Sequence, residues 1–368
     1  MSGQATGGQA TGGQATGGQG EDGYLYNAWY VAAWGDEITR ALTPLRLLDI
    51  PLVFFRTRAG AVVALEDACP HRKLPLSMGR LQGDRVECGY HGLTFDAAGT
   101  CTRVPGAERI PHRARVRAYP VVERYGLIWV WMGEAGRADP ALIPEVPMWG
   151  QPGWGVNRGD AMTVDCHCLY VTDNLLDPSH VAWVHQGSFG GEGTDAVPLT
   201  TDVHDRGVTV WRWLMDTPPA PFYAPYLPFA GNCDRKQEYA VHWPGHAIIR
   251  AIFTRAGTGG PDRALPDDAF IMDSYNFLTP VSARQTRYFW FQLRNVAPDD
   301  AAVSARFAAS VRAAFEEDRV ILNAVQQGMD GARSPALDLA IDQGPLRFRA
   351  RLARMIAAER AGAERAGA

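Results

Sequence analysis

The sequence predicts an α+β chain in which an all-β N-terminal domain precedes a larger domain built on an antiparallel sheet. Two observations carry that expectation. Between Tyr24 and Gly133, short β-rich runs recur with turn residues between them and little helical periodicity. Beyond residue 158, probable strands come first and strong helical periodicity comes last, the order expected of helices closing over a sheet.

The elements follow in order. Residues 1–22 repeat "GGQAT" and hold no large apolar residue after Met1, so they read as a disordered low-complexity tail. Residues 23–133 make the first domain. There "PLVFFRTRAGAVVALED" reads as a hairpin turning at Arg58, Ala59 and Gly60, "LTFDAAGTCTRV" as one turning at Asp96 to Gly99, and "YPVVERYGLIWVWMG" as one turning at Glu123 to Gly126. Residues 134–158, rich in Pro, Gly and Trp, read as a connector. In the second domain, residues 159–368, strands are expected in "GVTVWRWLMD", "QEYAVHWPGHAIIRAIFT" and "RQTRYFWFQLRN". A helix-like segment follows "DNLLDPSH", and helices near 299–327 and 344–362 close the chain.

Composition narrows the function classes. A net charge of −4 gives no basic footprint for nucleic acid or anionic membranes. No apolar run approaches the roughly 18 residues of a membrane span. With no basic-then-apolar leader visible, the six cysteines read as thiols or metal ligands in a reducing cytoplasm, not as a disulfide framework.

The first chemical motif is "ACPHRKLPLSMGRLQGDRVECGYHG", in which Cys69, His71, Cys88 and His91 form C-x-H and C-x-x-H knuckles. Thiolates and imidazoles suit zinc, and they suit a [2Fe–2S] centre in which two His replace two Cys on one iron, a Rieske centre. Zinc knuckles usually pair like ligands, whereas each knuckle here mixes one Cys with one His, which fits a cluster whose irons differ. With 9 His in 368 residues, two at fixed offsets from two Cys arise by chance about once in 1,700 trials, so coincidence explains little. Cys166 and Cys168, flanking His167 in an expected strand, read as buried inert thiols.

The second motif is "DNLLDPSHVAWVHQG". His180 and His185 stand about 140° apart on an ideal helix, so they converge on one metal only if the helix is distorted, as at a π-bulge. Asp177 before Pro178 reads either as a helix N-cap or as a functional carboxylate. A third ligand lies in "RFAASVRAAFEEDRVILNAVQQG", where Phe307, Val311, Phe315, Leu322 and Val325 recur at helical spacing. Asp318 falls inside that stripe, and a core-facing carboxylate is costly unless an Arg or a metal pairs with it. Glu316 and Glu317 flank the stripe. Two His and one carboxylate leave positions open for dioxygen on Fe(II).

Together these stretches resemble the Rieske non-haem iron oxygenases acting on aromatic compounds, over about Tyr24 to Gln327. The resemblance is greatest to the oxygenase components of vanillate O-demethylase, dicamba monooxygenase and toluenesulfonate methyl-monooxygenase. It implies a Rieske domain followed by a helix-grip catalytic domain. Cys69 and Cys88 would then bind one cluster iron and His71 and His91 the other, while His180, His185 and Asp318 hold the mononuclear Fe(II). Asp177 would link His180 to His91 of the partner subunit in a homotrimer, and Asn174 would support the iron without binding it.

The resemblance also implies electrons from NAD(P)H through a separate reductase, with or without a ferredoxin. O2 and a small aromatic acid would be the substrates. O-demethylation of a methoxylated acid to a phenol and formaldehyde is the expected reaction, with ring dihydroxylation or methyl hydroxylation as alternatives. An electron carrier without catalysis is the alternative of another class, but it leaves the second motif unused. For the substrate, Arg250 in "GHAIIRAIFT" and Asn276 in "SYNFLTP" are the candidate contacts. Arg250 shares a strand face with Ile248 and Ile252 and suits a carboxylate, or else it pairs with Glu238 or Asp273. Arg72, Lys73 and Arg80 near the cluster loops read as solvated charges that a redox partner could meet.

Overall fold

The structure, a computed structural model, describes residues 23–191 and 194–367. The predicted tail, 1–22, lies outside the described residues. The N-terminal half carries β1 (Trp29–Trp34), β2 (Thr43–Leu47), β3 (Ile50–Arg56), β4 (Val62–Glu66), β5 (Arg80–Gln82), β6 (Arg85–Glu87), β7 (Thr94–Phe95), β8 (Cys101–Arg103), β9 (Ala118–Tyr119), β10 (Val121–Arg124) and β11 (Leu127–Trp131). They pair antiparallel in three sheets, ordered β1-β11-β10, β2-β3-β4-β9 and β5-β6-β7-β8.

The three predicted hairpins are β3–β4, β7–β8 and β10–β11. The last turns through Tyr125 and Gly126, both at positive φ (58° and 73°), which matches the twist of the flanking strands. β11 is apolar at every position because both of its faces are covered. Leu127, Trp129 and Trp131 face one core cluster, and Ile128 and Val130 face another.

The C-terminal half contains β12 (Gly155–Val164), α1 (Cys168–Leu175), α2 (Val181–Val184), β13 (Thr200–His204), β14 (Gly207–Thr217), β15 (Cys233–His242), β16 (His246–Arg255), β17 (Phe270–Ser282), β18 (Gln285–Arg294), α3 (Ala301–Gly331) and α4 (Gln343–Gly367). The strands form one seven-stranded antiparallel sheet ordered β12-β18-β17-β16-β15-β14-β13. Strand β12 begins inside the expected connector. Gly155 to Arg158 pair with Arg294 to Phe291, a pairing that the Pro/Gly/Trp-rich composition concealed.

The sheet has two different faces. Tyr275, Phe277, Phe289 and Phe291 pack against Trp29, Trp129 and Trp131 of the N-terminal half. The opposite face is covered by α3, capped by Asp300, whose carboxylate accepts from the backbone N–H groups of Ala302 and Val303. Helix α3 buries Val303, Phe307, Val311, Ala314, Asp318, Leu322 and Gln326 at spacings of three and four. Phe307 is wholly buried, and a side chain of that size stabilises the packing by roughly 2–3 kcal/mol.

Three local expectations are corrected. Val325 is exposed, and Gln326 takes its place in the stripe by accepting from the His167 N–H. Residues 166–168 are not a strand, because the His167 ring caps α1 by accepting from the Leu169 N–H. Cys166 and Cys168 are nevertheless buried, and burial pushes both thiols up to about 12. Asp177 does not cap a helix starting at Pro178. Its carboxylate accepts from the Ser179 N–H, and the helical turn begins only at Val181, with His180 at its N-cap.

Candidate active site

The first site is built by two loops of matching backbone design. Cys69 N–H donates to Leu74 O and Lys73 N–H to Cys69 O, while Cys88 N–H donates to Leu93 O and Gly92 N–H to Cys88 O. Each loop therefore closes the same two rings, at residues i and i+5 and at i+4 and i. Each turns back through a residue at positive φ, Lys73 (60°) in one and Gly92 (72°) in the other.

The loops put the two cysteines inside and the two imidazoles outside. Cys69 and Cys88 are buried among Val53, Phe55, Leu76, Val86 and Phe95, and neither is in a disulfide. Burial pushes the Cys69 thiol up, and hydrogen bonding with Cys88 adds to the effect. His71 and His91 are exposed, with ring centroids 4.5 Å apart. Two buried thiols and two exposed imidazoles on the same pair of loops make the donor set for a cluster with unlike irons. The supporting loop is tied down by Asp67, which accepts from both the N–H and the hydroxyl of Ser77.

The second site joins residues far apart in the chain. His180 and His185 are the N-cap and C-cap of the single turn α2, and Asp318 projects from α3. One short turn, instead of a π-bulge, brings the two rings to the same side. The ligand atoms of all three lie within 4.8 Å of one another. His180 Nε2 is 3.5 Å and His185 Nε2 3.2 Å from the same Asp318 Oδ1. Ligands at about 2.1 Å from one ion and at right angles stand about 3.0 Å apart, so the spacing fits a shared metal.

The other ring nitrogens explain the orientation. His180 Nδ1 bonds the Asp177 carbonyl, and His185 Nδ1 bonds Glu317 Oε2 at 2.7 Å. Both acceptors hold a proton on Nδ1, which leaves each Nε2 lone pair aimed at Asp318. Three acceptors facing one another require a cation between them or protonated rings. Burial disfavours charge on His185, but Asp318 and Glu317 outweigh it and raise its pKa above the ordinary value. Asn174 Nδ2 donates to Asp318 Oδ1 at 3.2 Å, fixing the carboxylate.

A cavity opens over these ligands. Its apolar wall includes Leu175, Phe189, Ile249, Met272 and Val311, with Tyr239, Ser274 and Arg235 as polar members. His180 and Asn174 also line a surface groove that contains Asp177 and is rimmed by Ile321, Val325, Met329 and Leu337. Asp173, four residues before Asp177, accepts from the Arg349 guanidinium.

The two candidate substrate contacts do not reach this cavity. Ile249 lines it, so its neighbour Arg250 points through the sheet to the other face, where its guanidinium forks Asp273 at 2.7 and 2.8 Å. Asn276 is buried behind Ser274, accepting from the Tyr288 hydroxyl and donating to the Ser274 carbonyl. Sequence reasoning missed Glu317 and Arg235. Glu317 directly precedes Asp318, and Arg235 alternates with Cys233, Gln237 and Tyr239 on the buried face of β15, a period-two signal that was available.

Comparison with known proteins agrees with this geometry. Residues 28–120 match the Rieske [2Fe-2S] domain, and residues 164–358 match the vanillate O-demethylase oxygenase C-terminal domain. The iron-sulfur subunit TsaM1 of the toluene-4-sulfonate monooxygenase system of Comamonas testosteroni is 34% identical over 346 residues, covering 92% of this chain and 99% of that protein. A vanillate O-demethylase oxygenase subunit of Pseudomonas sp. is 34% identical over 316 residues, covering 84% and 95%. Dicamba monooxygenase bound to 3,6-dichlorosalicylic acid superposes with a TM-score of 0.83 at 28% identity, covering 92% of this chain and 99% of that one. The chain belongs to the Rieske non-haem iron oxygenases, as an oxygenase component of the vanillate O-demethylase type.

Proposed function

We propose that the chain O-demethylates a methoxylated aromatic acid, releasing a phenol and formaldehyde. One observation carries this reading above the others: the His180–His185–Asp318 constellation opens into a largely apolar cavity, the lining expected around an aromatic ring. When bound, the mononuclear iron supplies dioxygen chemistry and the [2Fe–2S] cluster supplies single electrons, delivered from NAD(P)H through a separate reductase, with or without a ferredoxin.

The residues then divide as follows. Cys69 and Cys88 would hold one cluster iron, His71 and His91 the other, and His180, His185 and Asp318 the mononuclear iron. The Asp177 carbonyl and Glu317 keep the protons on the Nδ1 atoms. Asn174 restrains the Asp318 carboxylate. Phe189, Ile249 and Met272 exclude water from the reacting carbon and orient the ring.

Asp177 would also link His180 to His91 of the partner subunit in a homotrimer. The groove beside Asp177 supports that reading, because Met329 and Leu337 on its rim are exposed, as are Met78 and Tyr90 on the cluster side. Among the described residues no helix is long and apolar enough to cross a membrane. None of the six cysteines is in a disulfide, which supports a cytoplasmic setting.

The test is turnover of 4-methoxybenzoate by the purified holoenzyme with its reductase, NADH and O2. Formaldehyde and 4-hydroxybenzoate in equal amounts are expected. A ring diol without formaldehyde would replace demethylation with dihydroxylation.

A further inference from the structure

The cavity wall contains a buried cation with too few partners. Arg235 is 3% exposed, and its Nη2 donates to the Phe189 carbonyl at 2.9 Å. Its Nε is buried with no hydrogen-bond partner. Tyr223 and Phe253 hold the guanidinium, with ring centroids 5.6 and 5.2 Å away. Among the described residues no carboxylate pairs with it. Its neighbour Asp234 points to the opposite side of the strand, where the N–H groups of Asp216 and Gly259 occupy its oxygens.

Arg250 and Arg294, also on the sheet, have more acceptors, although the buried Arg294 likewise pairs with no carboxylate among the described residues and has an unpartnered Nε. Arg250 forks Asp273, and Arg294 is held by Asn157, the Ala297 carbonyl and Ser304. A buried guanidinium with a single acceptor is costly, and an anion entering the cavity that Arg235 lines would offset that cost. The Nη1 donors of Arg235, which have no partner among the described residues, belong to a planar guanidinium matched to an oxyanion.

We propose that Arg235 is the anion anchor of the cavity, binding the carboxylate or sulfonate of an aromatic substrate whose ring lies against Phe189, Ile249 and Met272. This rests on the cavity being the substrate site, and not on which reaction occurs there. It moves the anion contact from Arg250, one of the two candidates in the sequence, to an arginine on the adjacent strand and the other face.

The experiment is calorimetric binding to the holoenzyme, with 4-methoxybenzoate and 4-toluenesulfonate as anionic probes and 4-methoxybenzamide and 4-toluenesulfonamide as neutral ones. The native protein should bind each acid at least about 30-fold more tightly than its amide. Arg235→Met should lower acid affinity by about the same factor and change amide affinity less than about 3-fold, with Arg235→Lys in between. The cluster spectrum and Tm report folding of each variant. If the Met variant does not fold, the native acid-against-amide ratio and the Lys variant decide.

Equal binding of acid and amide, no binding of either acid, or unchanged acid affinity in the variants overturns the proposal. The two probes separate carboxylate from sulfonate as the preferred anion. Charge-selective binding with no formaldehyde from 4-methoxybenzoate removes the demethylation reading and leaves Arg235 standing. Formaldehyde from acid and amide alike, with equal affinities, does the reverse.

Discussion

The two candidate metal centres are held in opposite ways. The cluster site is local: Cys69 and Cys88 lie on two loops that repeat one hydrogen-bond pattern, and their own backbones set the donor positions. The mononuclear site is distributed, because Asp318 reaches His180 and His185 only when α3 lies across the sheet. The first centre buries its thiols and exposes its imidazoles, whereas in the second His185 and Asp318 are both buried. A centre that exchanges electrons with a partner needs a ligand at the surface. A centre that handles dioxygen needs its ligands shielded, with proton positions fixed from behind.

The sharpest way to break the comparison is to remove one centre and read the other. Asp318→Ala should abolish turnover by at least about 10³-fold and lower iron from about three to about two per chain, with an unchanged red-brown spectrum. Cys69→Ser should remove that spectrum. Loss of the spectrum in Asp318→Ala would show that the centres are not independent.

Glu317→Gln should cost roughly 10- to 100-fold in activity or mononuclear iron affinity, as expected when the partner of a ligating imidazole is weakened. The matching change behind His180 has no side chain to remove, since a backbone carbonyl fills that role.

A smaller effect concerns pH. Burial lowers the pKa of His246 to about 3 and those of His167 and His242 to about 4, all in the catalytic half. Their folded values lie below the unfolded value near 6.5, so between those limits the unfolded chain binds more protons. Stability is complete above pH 6.5 and falls on acidification by about 1.4 kcal/mol per pH unit for each group. His246→Gln should make acid unfolding measurably shallower between pH 6 and 4. An unchanged slope would locate the acid sensitivity elsewhere.

The smallest expected effect tests the symmetry of the cluster loops. Lys73→Gly should relieve a positive φ and change stability by less than about 1 kcal/mol, whereas Gly92→Lys should destabilise by about 1–2 kcal/mol. Thermal unfolding of the two variants reads the difference.

The two arginines show where reading the sequence stopped. Arg250 sits among apolar residues of β16, and Arg235 alternates with Gln237 and Tyr239 on β15. Period-two alternation says which residues share a face, but it does not say which face meets α3. The register and the cavity lining settle it together: Tyr239 pairs with Ile249 and Glu238 with Arg250, and Tyr239, Ile249 and Arg235 line the cavity with Val311 and Asp318 of α3, leaving Arg250 on the other face.

The sequence by itself determined the all-β first half, its hairpins, the two motifs and the place of Asp318 in a helical stripe. Those features depend on short-range spacing, turn chemistry and helical period, all of which are local. Tertiary structure decided that His180 and His185 bracket one turn, that Glu317 orients His185, and that Arg235 faces the cavity. These depend on how α3 crosses a sheet whose strands lie far apart in sequence, and no local period records that crossing.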